Sequence, residues 1–168
     1  MKKRHRSKTR QKPDPEDGDA ARDHAIRLLA RREYARGELA MRLRQRGFSP
    51  DCAESVLDGL EERGYLSDER FAEIFVRTRI ERGSGPLKIR AELGQRGVAD
   101  EIIDRALAEA DCDFGALAHR VRCRRFGETP PADFEDKARQ ARFLAQRGFR
   151  ADDVRRSLDA DPSELGIE

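Results

Sequence analysis

Apolar residues along this chain recur at helical rather than strand spacing. Leu39 and Leu43, Ile89 and Leu93, and Phe71 and Phe75 each stand one helical turn apart, and such i, i+4 steps put side chains on one face of an α-helix. The pattern also copies itself. The stretches RQRGF, GQRGV and AQRGF end at Phe48, Val98 and Phe149, and their glycines, Gly47, Gly97 and Gly148, are 50 and 51 positions apart. A leucine lies four residues before each glycine (Leu43, Leu93, Leu144) and another ten residues after it (Leu57, Leu107, Leu158). Ala53, Ile103 and Val154 fall six residues after it. Three copies in register mark a tandem repeat, each copy a small unit that must share its core with a neighbour.

Within a copy, the glycine is the expected left-handed stop of the middle helix, with arginine in the last turn complementing the helix dipole. Ser49-Pro50 reads as cap and first residue of a following helix. The first helix of the second copy is predicted to start at Ser67 and to bury Phe71, Ala72, Phe75 and Val76. The expected fold is therefore all-α: three tandem three-helix repeats, about nine helices, forming an elongated curved array. The repeats are placed at residues 20–66, 67–112 and 113–160, with a leader at 1–19 and a tail at 161–168.

Composition agrees with narrow apolar stripes: 40% of the 168 residues are charged, 6% are aromatic and tryptophan is absent. The net charge is only +2, so a basic surface has to come from how the charges are arranged. The leader carries seven Lys or Arg in MKKRHRSKTRQK and then the acids of PDPEDGD. Charge blocks of this kind bury nothing, so residues 1–19 are expected to stay unfolded. Cys52, Cys112 and Cys123 are odd in number and widely spaced, which points away from a disulfide framework and toward a cytoplasmic location. No apolar run reaches the ~20 residues of a membrane span.

The stretch ERGSGPLKIRAELGQRG, residues 81–97, is the one place where chemistry competes with architecture. A glycine-rich turn feeding a helix can cradle a phosphate on free backbone N–H groups. A Walker loop, however, needs GxxxxGK with Ser or Thr after a strand. Here a helical pattern precedes the glycines, and Pro86 has no N–H to offer. The reading is a helix joint, with Gly85 as cap and Pro86 as first helical residue. No other motif assembles a nucleophile, base, cofactor site or metal-ligand cluster, and a non-enzymatic protein is expected.

Basic residues gather around that joint. Arg79, Arg82, Lys88, Arg90 and Arg96 outnumber the nearby acids Glu81 and Glu92, while Arg70 and Arg77 share a helix stripe with Glu73 and Glu81. Arginine's planar fork suits such a surface to phosphates or acidic loops.

These residues together resemble the RecX family of bacterial RecA regulators. The segment GYLSDERFAEIFVRTRIERGSGPLKIRAELGQRGV is similar to the family's GYLDDxRFA…R…GxGPxxIxxELxxRGV pattern. RREYARGELAMRLRQRGF and KARQARFLAQRGF resemble its first and third repeats, for a likeness spanning roughly residues 22–160. Where the family often has a Ser cap before the EL helix, this chain has Ala35-Arg36-Gly37. The resemblance implies three three-helix units and a cytoplasmic monomer without cofactor. It also implies binding to RecA nucleoprotein filaments, restraining filament extension, ATP hydrolysis and strand exchange in recombination, repair and the SOS response. Arg70, Arg77, Arg79, Arg82, Lys88, Arg90 and Arg96 are then the candidate contact surface, and reversing Arg77, Arg79 and Lys88 together is expected to abolish inhibition without unfolding. The rival expectation is a helix-turn-helix-like module binding DNA directly, with the basic leader adding a weak, salt-sensitive component.

Overall fold

The structure, a computed structural model, describes residues 13–159. Among these residues it has nine helices and no strand: α1 (Gly18–Leu29), α2 (Arg36–Arg46), α3 (Pro50–Glu62), α4 (Asp68–Glu81), α5 (Pro86–Gly94), α6 (Asp100–Glu109), α7 (Phe114–Phe126), α8 (Phe134–Gln146) and α9 (Ala151–Asp159). They divide into two compact units that part after Ser67. The first holds one helical trio and the second holds two.

In the first unit, α3 presents Ala53, Val56, Leu57 and Leu60 at i, i+3, i+4, i+7 spacing to Ala21 and Ala25 of α1 and Leu39 and Leu43 of α2. Ser49 caps α3 through the Cys52 N–H, 3.1 Å away, with Pro50 in the first turn as expected. Ala35 gives α2 no side-chain cap. Arg36 instead forks across to Glu54, Asp58 and Glu61 of α3 at 2.6, 2.8 and 2.6 Å, tying the start of α2 to its neighbour.

The charge blocks marked residues 1–19 as unfolded, and residues 13–19 contradict this. Asp17 caps α1 by accepting the Ala20 N–H at 2.9 Å. The Pro15 carbonyl accepts the Ser49 N–H at 2.9 Å. A side-chain cap and a backbone tether thus hold an acidic segment that has little apolar surface to bury. Residues 1–12 of that leader and the tail at 161–168 lie outside the described residues.

The thrice-repeated glycine performs one backbone task three times. Gly47, Gly97 and Gly148 have φ of 114°, 82° and 85°. The next residue's N–H returns to the leucine carbonyl: Phe48 to Leu43 at 3.2 Å, Val98 to Leu93 at 3.3 Å and Phe149 to Leu144 at 3.3 Å. The glycine's own N–H bonds the carbonyl three residues back. This is a Schellman ending, and a side chain at the left-handed residue would cost roughly 1–2 kcal/mol. The leucines are fully buried, so one residue both anchors the core and accepts the terminating hydrogen bond.

In the second unit the core of α7–α9, built from Leu117, Ala118, Val121, Leu144, Phe149 and Val154, also takes in Ile80 of α4. The two trios of this unit therefore share a core. Their closest approach is the glycine-rich turn. The Gly85 N–H donates to the Arg147 carbonyl at 2.8 Å, and the Leu87 N–H donates to the Gly148 carbonyl at 3.0 Å. The positive end of α5 meets the negative end of α8, each supplying what the other lacks. A Cβ on Gly85 would come within 2.3 Å of Gly148 backbone, and one on Gly83 within 2.6 Å of Val121 Cγ2. The turn is a joint, and one that fastens two trios together as well as linking α4 to α5.

Candidate partner-binding surface

Helices α4 and α5 and the turn between them carry six of the seven sequence-predicted contact residues, and the seventh, Arg96, follows just past the end of α5. The structure separates them by what each side chain already touches. Arg79 on α4 brings Nε to 2.7 Å from Glu92 Oε2 on α5. The pair is largely buried and makes a charge contact without the alignment of a hydrogen bond. The Arg79 guanidinium also lies 4.6 Å from the centroid of the Phe75 ring, and Arg96 lies 4.8 Å from the same ring. Arg96 Nη1 donates to the Glu92 carbonyl at 2.5 Å. Phe75 was expected in the core beside Phe71. Phe71 is buried, whereas Phe75 is half-buried, its ring lying against the guanidinium groups of Arg79 from α4 and Arg96 from just past α5.

Arg90 reaches from α5 to α6, pairing with Asp100 at 3.3 Å and with Asp104. The expected excess of base over acid at this joint is therefore smaller than the sequence suggests. Counting only Glu81 and Glu92 overlooked Asp100 and Asp104, which packing of α6 against α5 brings alongside. Arg79, Arg90 and Arg96 hold the trio together and have little left for a partner.

The remaining cations differ. Arg77 is exposed and lines a groove of about 420 Å³ with Glu73, Ile80 and Glu81 of α4 and Ala106 and Glu109 of α6. Arg82 and Lys88 are exposed on either side of the Gly83–Pro86 turn. The Arg82 carbonyl accepts from Arg147 Nη1 at 3.4 Å, while Arg82 itself is exposed. Arg70, near the start of α4, is half-buried. Among the described residues no cluster of three or more His, Cys, Asp or Glu is placed to hold a metal. Nor is any described helix long and apolar enough to cross a membrane. The N–H groups that would have made the α5 N-terminus an anion site, those of Gly85 and Leu87, are held by carbonyls of the third trio.

Family models for the first, second and third three-helix domains of RecX match residues 21–66, 67–107 and 113–158, in that order. The chain belongs to the RecX family. Relatives include the "Regulatory protein RecX" of Halorhodospira halophila, 54% identical over 142 residues, covering 84% of this chain and 88% of that protein. The protein of the same name from Chromohalobacter salexigens is 50% identical over 137 residues, covering 82% and 90%. Among solved structures, RecX from Lactobacillus salivarius superposes with a TM-score of 0.72 at 21% identity, covering 89% of this chain and 96% of that one. A second structure, of "regulatory protein RecX", gives 0.73 at 21% identity over 85% and 72%. The fold and the family are thus those of RecX regulatory proteins.

Sequence reading passed over a second concentration of arginine. RCRRF at the end of α7 and ARFLAQR in α8 both set arginine beside phenylalanine. The structure places those two segments against each other, with Phe126 and Phe143 edge to face at 5.2 Å.

Proposed function

We propose that this chain binds the RecA nucleoprotein filament and restrains its extension, its ATP hydrolysis and the strand exchange it performs, as a non-enzymatic regulator of recombination, repair and the SOS response. The observation carrying this reading is the ordered match of all three RecX domains across residues 21–158. Arg77, Arg82 and Lys88 are its contact residues of choice, since all three are exposed in the second trio. Arg79, Arg90 and Arg96 support them by fixing α4, α5 and α6.

The physical route is multivalent. Several modest contacts to successive protomers add through effective concentration without any one being strong. Occupying a filament groove would hinder duplex entry, and occupying a growing end would hinder addition.

The test is RecA ATPase on single-stranded DNA with this protein added below stoichiometry. Strong inhibition at low ratios indicates action at filament ends, and loss in proportion to added protein indicates groove coating. The triple charge reversal R77E/R82E/K88E should abolish either while leaving the helical circular dichroism intact. This set replaces one containing Arg79, whose reversal would set a carboxylate against Glu92 and confound binding with folding. Absence of inhibition by the wild-type chain, or tight DNA binding that ignores RecA at physiological salt, would overturn the proposal.

A further inference from the structure

The third trio carries a groove that the reading above does not use. Its walls are Arg125 and Phe126 at the end of α7, and Arg139, Arg142, Phe143 and Gln146 along α8, enclosing about 540 Å³. Among the described residues no carboxylate lines it. Arg139 leans on Asp136 at 2.6 Å, but neither Arg125 nor Arg142 forms an ion pair with a described residue, and both are exposed. This sets them apart from Arg36, Arg79 and Arg90, each of which is neutralised across a helix pair. The floor is apolar, being the edge-to-face contact of Phe126 and Phe143.

We propose that this groove is a docking site for a short acidic peptide segment with an apolar anchor, presented by a protein partner. Charge complementarity calls for an anion, because two unpaired guanidinium forks converge on one recess and can take carboxylates bidentately. Two observations favour a peptide over a nucleic acid. First, the ring of Phe126 is flanked by Arg125 and Arg139, each 5.5 Å from its centroid, and Phe143 is covered by Arg147 at 5.0 Å. Bases need open aromatic faces to stack on, and guanidinium groups already crowd these rings, whereas an aliphatic anchor needs only the ring surface left between them. Second, the adjoining recess is lined by Asp133, Glu135 and Asp136 and shares Arg139 and Arg142 with the groove. A polyanion with a charge every ~1.7 Å would run onto those acids. A peptide with separated carboxylates and one apolar side chain would not.

The experiment uses the full chain and fluorescein-labelled probes in 150 mM salt: the hexapeptide Glu-Asp-Leu-Leu-Glu-Asp, its neutral amide counterpart Gln-Asn-Leu-Leu-Gln-Asn, and twelve-nucleotide oligothymidine, single-stranded or paired with oligoadenosine. Fluorescence anisotropy should show saturable binding of the acidic peptide, at least about tenfold weaker for the neutral one and for R125E/R142E. R155E on α9, outside the groove lining, should bind as wild type. No saturable peptide binding, or equal binding by the double variant, would sink the proposal. So would an oligonucleotide that binds more tightly than the peptide and is lost in R125E/R142E. Should that variant lose its helical signal, amide shifts of Phe126, Phe143 and Gln146 on titrating wild type with the peptide decide instead, and shifts confined elsewhere overturn the assignment. No RecA enters the assay, so its outcome is independent of the filament reading.

Discussion

Replacing Gly148 with alanine should loosen the second unit far more than the same change at Gly47 loosens the first, although both glycines end a helix in the same way. At Gly47 the φ is 114° and an added Cβ would meet only the Pro13 ring, at 3.6 Å. The cost there is the left-handed backbone alone, about 1–2 kcal/mol. At Gly148 the φ is 85°, and the added Cβ would lie 2.3 Å from Lys88 Cβ and 2.4 Å from Lys88 N. Backbone cannot step aside as the tip of a side chain can, so α8 must draw back from α5. Withdrawal breaks the bonds from Gly85 N–H to the Arg147 carbonyl and from Leu87 N–H to the Gly148 carbonyl. Each is worth about 0.5–1.5 kcal/mol, and more where the freed donor stays buried. The total for G148A is about 2–5 kcal/mol, toward the upper end where the freed donors stay buried. Urea unfolding followed by helical circular dichroism measures it, and hydrogen exchange at the Gly85 and Leu87 amides reports the joint directly. If G148A costs no more than G47A and both amides stay protected, the joint does not hold the two trios as described.

Arg122 is 2% exposed and donates to the Glu128 and Thr129 carbonyls and to Gln140 Oε1; R122L should cost about 2–4 kcal/mol and speed proteolysis in residues 127–133, read by urea unfolding and limited digestion. Asp113 caps α7, and the Ala116 N–H together with the Arg156 guanidinium holds its carboxyl below the usual carboxylate range. A depressed folded-state pKa contributes stability that is complete above the ordinary aspartate value near ~4 and is lost as pH falls through the folded value. The urea midpoint should therefore fall between pH 5 and pH 2, by roughly these limits, and fall less in D113N, which can still cap the helix. R90A removes exposed pairs to Asp100 and Asp104 and should change stability by about 1 kcal/mol or less; in the RecA ATPase assay it should inhibit nearly as well as wild type, unlike K88E.

Much of the architecture was legible because its signals are local. A glycine with a leucine four residues before it, a Ser-Pro pair, and a Gly-Pro pair each specify a helix end through backbone chemistry that needs no knowledge of the rest of the chain. All of these stand where the pattern put them. What could not be read depends on partners far along the sequence. Nothing near Gly85 announces that its N–H will meet a carbonyl at Arg147. The surface was less legible than the core for the same reason. Arg90 looks available until α6 folds back with Asp100 and Asp104. The i, i+4 spacing of Phe71 and Phe75 marks one helix face, but a face has a rim, and Phe75 lies there under Arg79 and Arg96. Residues 13–19 were misread because composition weighs burial and is blind to a single cap and a single tether.

The seam between α5 and α8 is made of main-chain atoms. Exposed side chains around it can therefore vary without altering the setting of one trio on the other, provided that the glycines and the buried contact of Ile80 with the third trio remain. A binding surface can be rewritten on this unit residue by residue while its frame stays put, and drift in partner preference need not be accompanied by drift in geometry.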